Sequence, residues 1–215
     1  MGHKWYTNMH MDKEKALREL KEEMEKDKGL PLRTNETRLV FGEGDPNAEI
    51  YLIGEAPGFH ENQQGRPFVG QAGKLLERTL ETIGLNRTNV YISNVVRFRP
   101  PQNRDPLPEE IAAFQPYVDR EIEIINPKVI VTLGRFSMGK FLPGELISRI
   151  HGKPREVKFK GRDATIVPMY HPAAALRAGA VMEQFKEDFK KLPQILKNLE
   201  DNNGKKEEAN QMELL

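Results

Sequence analysis

The sequence predicts an α/β fold in which helices cover both faces of a parallel β-sheet. Four short apolar runs are typical of buried strands, at residues 50–53, 90–96, 128–134 and 164–170. Between them lie longer segments in which apolar residues recur every three or four positions, the spacing of a helix with one buried side. Because parallel strands need long crossover connections, this alternation favours a four-stranded parallel sheet with helices on both sides.

The first helices are predicted from this spacing and from the residues that end them. One covers residues 13–28 and ends at Gly29, and a second covers residues 71–83 and ends at Gly84. A third begins at Pro108, because proline lacks the N–H group that a first helical turn leaves unpaired. Each of these helices lies where a crossover or an approach to the sheet is needed.

The second half of the chain continues the pattern. A short helix with Phe136 and Phe141 follows the third strand, and a last helix covers residues 181–199. Residues 59–65 are expected to form a polar loop. Residues 151–160 are expected to form a less regular basic connection.

Length and composition limit the class of protein. The chain has 215 residues, of which 38% are hydrophobic and 30% charged, which is typical of a globular domain. We expect one domain over residues 1–200 and a mobile polar tail over residues 201–215. The absence of long apolar runs predicts a cytoplasmic protein without a membrane partner.

The charge and cysteine counts exclude further classes. The chain has no cysteine, which excludes disulfides and thiolate metal sites. The formal net charge is +1, so any binding to nucleic acid has to depend on a local basic face.

Polar side chains follow three of the predicted strands. Glu55 lies in the loop Gly-Glu-Ala-Pro-Gly after the first strand, Asn94 ends the second, and His171 follows the fourth. Ligands of open α/β sheets bind outside the carboxyl ends of the strands. The sequence therefore predicts a site that contains these three residues.

The residue types suit a pocket for one flat, polar ring. Asn94 can donate to and accept from the edge of a heterocycle, His171 can stabilise a developing oxyanion, and Phe68 can stack on a ring. Each also has a structural alternative: Phe68 in the core, Asn94 as a turn cap, His171 as a helix cap and Glu55 as a solvated turn residue. The pattern by itself leaves these alternatives open.

Four segments resemble the motifs of family 4 uracil-DNA glycosylases. They are Gly-Glu-Ala-Pro-Gly at 54–58, Gly-Arg-Pro-Phe-Val-Gly at 65–70, Ser-Asn-Val-Val at 93–96 and His-Pro-Ala-Ala at 171–174. The resemblance covers residues 41–192. It implies a three-layer α/β/α sandwich on a four-stranded parallel sheet, and removal of uracil from DNA by hydrolysis of the N-glycosidic bond.

The resemblance also implies roles for single residues. Glu55 would orient or activate the attacking water, Asn94 would bind the O4/N3 edge of a flipped uracil, and His171 would bind O2 as negative charge builds there. Phe68 would stack on the ring, and Glu61 would exclude the C5 methyl group of thymine. The implied substrate contacts are Gly54, Ala56, Pro57, Gly58, Glu61, Phe68, Asn94 and His171.

A DNA surface is implied in the same way. Residues 172–177 match a loop that enters the minor groove, with Leu176 or Arg177 as the wedge. The candidate DNA contacts, several of them cations suited to phosphates, are Arg97, Arg99, Arg104, Lys153, Arg155, Pro172, Leu176 and Arg177. The expected partner is uracil-containing DNA, the product is free uracil, and the enzyme is expected to be a monomer.

One departure from the family is large. Family 4 members hold an iron–sulfur cluster on four cysteines, and those positions here are Asp27, Leu30, Phe98 and Phe114. These residues cannot hold such a cluster, so no cofactor and no metal are expected. We expect Phe98, Phe114 and Leu30 to pack in its place and Asp27 to face solvent. A related family forms a covalent DNA adduct through a histidine in this region, and residues 95–113 contain none, so ordinary turnover is expected.

The sequence is compatible with three alternative functions. The first is a glycosylase with a broader range that includes hypoxanthine or xanthine, and the second is a non-catalytic DNA-binding relative. The third is a nucleotide-binding α/β protein, which would need a phosphate-binding Gly-Lys loop that this chain lacks. Retention of Glu55, Phe68, Asn94 and His171 together argues against the second.

Overall fold

The computed structural model describes residues 12–212, with side chains as far as residue 201. Residues 1–11 of the predicted domain and 213–215 of the predicted tail lie outside the described residues. Six strands occur in the described range: β1 (Glu43–Gly44), β2 (Ile50–Gly54), β3 (Tyr91–Asn94), β4 (Val129–Leu133), β5 (Arg155–Phe159) and β6 (Arg162–Met169). They form one sheet in the order β1-β3-β2-β4-β6-β5.

The four central strands are the four that the sequence predicts. β3, β2, β4 and β6 are parallel neighbours, which confirms the predicted parallel sheet. Two antiparallel edge strands were not predicted: β1 pairs with β3, and β5 pairs with β6. The sheet therefore has six strands instead of four, although its α/β class is as expected.

The connection at residues 151–160 is more regular than the sequence indicates. β5 and β6 form a hairpin whose two turn residues, Lys160 and Gly161, both have positive φ. Such a turn matches the twist of the two strands. β5 is mostly exposed and has no apolar run, so periodicity gave no signal for it.

Eight helices and a 3₁₀ turn occur among the described residues. The helices are α1 (Lys13–Lys26), α2 (Phe59–Gln64), α3 (Gln71–Glu81), α4 (Pro108–Ile125), α5 (Arg135–Phe141), α6 (Ile147–Ile150), α7 (Pro172–Ala175) and α8 (Gly179–Met212), and the turn is Pro101–Asn103. The predicted helices are present. α2, α6 and α7 are too short for the apolar spacing to predict. None of the helices within residues 12–212 has the length and apolar character of a membrane-spanning segment.

The last helix is longer than predicted. The sequence places its end at residue 199, because the polar cluster after that point is typical of a loop. In the structure α8 continues to Met212. A formed helix gains one hydrogen bond for each residue that it adds, so the helix extends into the segment predicted as a polar tail.

The strands alternate between two buried faces, which gives three layers. In β2, Tyr51 and Ile53 pack on the side of α1 and α4, whereas Ile50 and Leu52 pack on the side of α3 and α8. This alternation is the period of a strand buried on both sides. The chain is thus an α/β/α sandwich.

A buried ion pair lies on the α4 side of the sheet. Arg97 and Glu121 are both fully buried, and Arg97 Nη2 lies 2.6 Å from Glu121 Oε2. The Ser93 hydroxyl donates to the same carboxylate at 2.8 Å, and the hydroxyls of Tyr51 and Tyr91 also donate to it. Burial works against the charge of Arg97, but Glu121 outweighs it and raises the pKa of Arg97.

This network corrects one expectation. Arg97 was predicted to contact DNA, but its side chain has no exposed surface and cannot reach a phosphate. A charge in this position needs its partner, because removal of either member leaves the other unpaired in the core. Arg97 is a structural residue.

Apolar packing occupies the position where the family resemblance implies an iron–sulfur cluster. The rings of Phe98 and Phe114 are buried with centroids 6.1 Å apart, and Leu30 belongs to the same core cluster. The Arg33 guanidinium lies 5.1 Å from the centroid of the Phe98 ring. These contacts join the segment after α1 to the loop after β3 and to α4.

Asp27 is partly exposed, and it also has hydrogen-bond partners that the sequence does not predict. Its carboxylate accepts a hydrogen bond from the Tyr117 hydroxyl at 2.7 Å and from the Gly29 N–H at 2.9 Å. The bond from Tyr117, and then the bond from Gly29, hold the pKa of Asp27 below its ordinary value. Asp27 therefore connects the end of α1 to α4.

We predict that truncation of either aromatic ring destabilises the fold. Phe98→Ala or Phe114→Ala should lower the free energy of unfolding by about 3–5 kcal/mol, because each leaves a cavity in the core. Urea unfolding measures this. Phe59→Ala is the matched control, because Phe59 is 49% exposed and its loss should change stability by less than about 0.5 kcal/mol. Equal stability of all three variants and the wild type would contradict the packing described here.

Candidate active site

A cavity of about 200 Å³ opens at the carboxyl ends of the parallel strands. All three strand-end residues of the sequence prediction line it. The complete lining is Glu55, Ala56, Pro57, Gly58, Glu61, Phe68, Ala72, Asn94, Pro100, Asn103, Arg104, His171 and Ala173. At roughly 30 Å³ for each water in the liquid, this space holds several waters and is large enough for a six-membered ring.

Strand pairing places the first two residues side by side. Gly54 of β2 pairs with Asn94 of β3. The pairing continues beyond the strands, because the N–H groups of Val95 and Val96 donate to the carbonyls of Gly54 and Glu55, each at 3.0 Å. The positions of Glu55 and Asn94 are therefore set by the backbone.

Asn94 presents an unpaired acceptor. The residue is 2% exposed, and its Oδ1 has no hydrogen-bond partner among the described residues. A Cβ atom at Gly54 would collide with this oxygen and with the Phe68 ring, so only glycine leaves the space open. Buried acceptors in native proteins are normally paired, and a donor on a ligand would satisfy this one.

His171 presents a donor. Its Nδ1 accepts a hydrogen bond from the Ala173 N–H at 3.1 Å, which caps α7, so the proton of the neutral ring lies on Nε2. Burial, and then the positive charge of Arg177, lower the pKa of His171 to about 4. The imidazole is therefore neutral at physiological pH. The helix-cap alternative and the site prediction hold together, because each uses a different nitrogen.

Phe68 forms a wall of the cavity. Its ring centroid lies 5.7 Å from that of His171, and the residue is 6% exposed within the core cluster on the α3 side. Its φ is +52°, the left-handed region, which costs roughly 1–2 kcal/mol for a residue with a Cβ atom. The surrounding structure has to hold it there.

Glu61 is held by backbone amides on two loops. Its Oε2 accepts from the Gly58 N–H at 3.1 Å, and its Oε1 accepts from the N–H groups of Val69 at 2.9 Å and Gly70 at 2.7 Å. These bonds join the loop after β2 to the segment that contains Phe68. The carboxylate is thus a fixed part of the cavity wall.

Glu55 carries a shifted pKa. Burial, and next the negative charge of Asp105, raise the pKa of Glu55 to about 7, while Arg135 and Arg177 act in the opposite direction. A carboxyl group of this kind is close to half protonated at neutral pH. It can act as a hydrogen-bond acceptor or general base near physiological pH.

The predicted DNA contacts have different surroundings. Leu176 is 45% exposed and Arg177 is exposed, but Pro172 is buried at the start of α7 and offers little surface to DNA. Arg104 lines the cavity and pairs with Glu110 at 2.5 Å. Two further cations, Lys153 and Arg155, are exposed outside the cavity lining. Arg99 donates to the Asn103 side chain at 2.7 Å.

Four residues of the lining were not predicted as site residues. Pro100 and Asn103 come from the turn after β3, where Asn103 has a φ of +53° that aims the turn. Ala72 and Ala173 come from the first turns of α3 and α7. The proline-rich turn gave some signal in the sequence. The alanines gave none, because a small apolar residue has no chemistry to recognise.

The four cluster positions do not fit an iron–sulfur group. Two are buried phenylalanines, one is a buried leucine, and Asp27 is hydrogen-bonded to Tyr117. Thiolates are the ligands such a cluster takes, and the chain has no cysteine. The described residues contain no group of three or more potential ligands for another metal.

The sequence of the chain is similar to those of known proteins. Residues 41–197 match the model of the uracil DNA glycosylase superfamily. A Type-4 uracil-DNA glycosylase of Sulfurisphaera tokodaii is 46% identical over 187 residues, covering 84% of each chain. Those of Archaeoglobus fulgidus and Saccharolobus solfataricus are each 45% identical, over 76% and 73% of this chain and 85% and 76% of their own lengths.

We predict that two titratable groups of the cavity, Glu55 and His171, have pKa values that are shifted in opposite directions. Glu55 should titrate near pH 7, so its acid form dominates below that pH, and His171 should stay neutral down to about pH 4. NMR titration of labelled carboxyl and imidazole groups measures both values. Glu55→Gln assigns the carboxyl signal. A midpoint near 4.5 for Glu55 would mean that its carboxyl group is solvated.

Proposed function

This chain belongs to the uracil-DNA glycosylase superfamily, and on that premise we propose that it flips uracil out of DNA and hydrolyses its N-glycosidic bond. The reaction initiates base excision repair. One observation carries the proposal: the same cavity is lined by an acceptor without a partner, Asn94 Oδ1, and by a donor, His171 Nε2.

Uracil satisfies the edge of Asn94. Its N3–H can donate to the buried Oδ1, and its O4 can accept from the Asn94 amide nitrogen. Cytosine has an acceptor at N3 and an amino group at position 4, which reverses this pattern and leaves buried polar groups unpaired. Mispairing of this kind gives strong discrimination, because the site is built to hydrogen-bond the correct base.

His171 acts on the leaving group. Uracil departs as an anion whose charge develops on O2, and a neutral N–H donor fixed in the cavity binds that charge better than it binds the ground-state carbonyl. The low pKa of His171 keeps it in this donor form. We infer that this hydrogen bond lowers the barrier to cleavage of the N-glycosidic bond.

Glu55 acts on the water. In its carboxylate form it can accept a hydrogen bond from the attacking water and stabilise the positive charge that builds on the sugar. A pKa of about 7 leaves a substantial carboxylate fraction at neutral pH. We infer that Glu55 orients or activates the attacking water.

Two cavity walls select the ring that enters. Phe68 offers a face on which the flipped base stacks. Glu61 is anchored by three amides, so it cannot move aside for a C5 methyl group. Rejection of thymine follows if Glu61 lies against C5.

The rim suits DNA. Leu176 or Arg177, both exposed, is the candidate wedge for the space that a flipped base leaves, and Arg177, Arg99 and Arg104 are candidate phosphate contacts. Flipping requires a few kcal/mol, and least for a mispaired base, which favours U·G pairs. The product is free uracil.

We propose that the protein works without an iron–sulfur cluster or another metal, as a cytoplasmic monomer. The absence of cysteine and the apolar packing at the cluster positions support the part of this proposal that concerns the cluster. A cluster would hold α1, the loop after β3 and α4 together. Phe98, Phe114 and Leu30 hold them together instead.

We predict release of uracil with an intact, alkali-labile abasic strand. Oligonucleotides that contain U·G, U·A, single-stranded U or hypoxanthine, analysed on gels before and after alkali, test this. Scission by the enzyme alone, with an adduct trapped by borohydride, would indicate a lysine nucleophile and a different mechanism. Protein treated with a chelator should keep its activity and contain no stoichiometric iron.

We predict that two pocket substitutions slow chemistry and leave DNA affinity almost unchanged. Asn94→Ala and His171→Ala should each lower the single-turnover rate by roughly a hundredfold or more, the usual effect of removing one transition-state donor. Arg177→Ala is the contrasting variant and should weaken DNA binding and flatten its salt dependence. Excision at near wild-type rates by both pocket variants would contradict the site assignment.

A further inference from the structure

A side chain outside the cavity donates hydrogen bonds to the backbone at Phe68, the residue with the unfavourable positive φ. Arg87, in the turn before β3, is not among the cavity-lining residues. Its Nη1 donates to the Phe68 carbonyl at 2.9 Å, and its Nη2 donates to the Pro67 carbonyl at 2.7 Å. One guanidinium therefore binds two successive carbonyl oxygens on the segment that carries the stacking ring.

A carboxylate braces this guanidinium from the edge strand β1. Glu43 accepts from Arg87 Nε at 3.1 Å and also from Arg87 Nη2. Arg66 binds the same carboxylate, with Nε at 2.8 Å. Burial alone would raise the pKa of Glu43, but the bonds from Arg66 and Arg87 outweigh it and keep that pKa below its ordinary value.

The two arginines differ in what else they hold. The Arg87 side chain is 15% exposed and binds the backbone at Pro67 and Phe68. The Arg66 side chain is 56% exposed, and its hydrogen bonds within the described structure all go to Glu43. Arg66 thus provides an internal comparison for the charge of Arg87 without its backbone contacts.

Contacts on the other side complete the hold on this segment. Glu61 accepts from the next two amides, those of Val69 and Gly70. A Cβ atom at Gly73 would collide with the Phe68 backbone, so α3 packs directly on it. The backbone groups of four successive residues, 67–70, therefore form hydrogen bonds with side chains. Phe68, with its positive φ, lies within this segment.

We propose that Arg87, braced by Glu43, is a positioning residue that keeps the Phe68 ring in place to stack on uracil. The inference rests on the proposed function and extends it to residues outside the cavity. Without the two bonds to carbonyl oxygens, the φ of Phe68 can relax to a negative value, and the ring leaves the cavity wall. Arginine suits this task because its planar group presents several N–H donors in a rigid fork, whereas lysine presents a single point charge.

The test combines substitution at Arg87 with two readouts. Arg87→Ala should weaken inhibition by free uracil and slow single-turnover excision, each by about tenfold or more, because two charged hydrogen bonds are lost. Binding of undamaged duplex should not change, because Arg87 acts on the ring and not on DNA. Arg87→Lys should recover only part of the loss.

Arg66→Ala is the matched control and should behave like the wild type. Phe68→Ala supplies a double-mutant cycle: if Arg87 acts through the ring, Arg87→Ala should add little to the defect of Phe68→Ala. Additive losses, or an Arg66→Ala defect equal to that of Arg87→Ala, would overturn the proposal. If Arg87→Ala does not fold, Arg87→Lys and Glu43→Gln carry the same comparison.

The outcomes separate this inference from the proposed function. A wild-type protein that releases no uracil contradicts the function. A wild-type protein that is active, with Arg87 variants that bind free uracil equally well, contradicts only the positioning role. A crystal structure of Arg87→Ala reports the φ of Phe68 directly, and an unchanged positive φ with the ring in place would also contradict it.

Discussion

The buried pair of Arg97 and Glu121 constrains much of this structure. Two charges without solvent are tolerated only when they satisfy each other and gain further hydrogen bonds from their surroundings. Glu121 meets this demand with donors from Tyr51, Ser93 and Arg97, so one carboxylate ties α4 to two strands and to the loop after β3. That loop continues into the cavity wall. Ser93 directly precedes Asn94, so the same network fixes the end of the strand that carries Asn94, the residue proposed to recognise the base.

The polar side chains of the cavity are fixed by hydrogen bonds to the protein, while some of their donor and acceptor atoms remain free to bind a ligand. His171 uses Nδ1 on a backbone amide and leaves Nε2 as the donor, and Glu61 is occupied by three amides. Among the described residues that line the cavity, only Asn94 has a buried side-chain atom without a hydrogen-bond partner, its Oδ1. Such a site needs little reorganisation when charge develops on a bound ring, which is the physical basis of electrostatic preorganisation. Burial also raises the pKa of Glu55 and lowers that of His171, and both shifts favour the neutral form of the side chain.

In this fold, the segment after α1, the loop after β3 and α4 can be held together by different kinds of interaction. At the positions where the family resemblance implies thiolate ligands, Phe98 and Phe114 pack against each other, and Asp27 accepts a hydrogen bond from Tyr117. Aromatic rings bury a large area with few rotamers, so two of them can hold a loop that a cluster would otherwise hold. The proposed active site lies at the carboxyl edge of the sheet, and none of the residues that line it is a cluster position.

The sequence by itself determined the four parallel strands, the main helices and the polar residues at three strand ends. Apolar periodicity and strand–helix alternation are local properties, and parallel strands bring their carboxyl ends together, so Glu55, Asn94 and His171 could be grouped without coordinates. Tertiary structure alone decided that Arg97 is buried, that β5 pairs with β6, and that Arg87 reaches the Phe68 backbone. An arginine looks the same in sequence whether it faces a phosphate, a carboxylate or a carbonyl, because its partner is chosen by residues that are distant along the chain and adjacent only after folding.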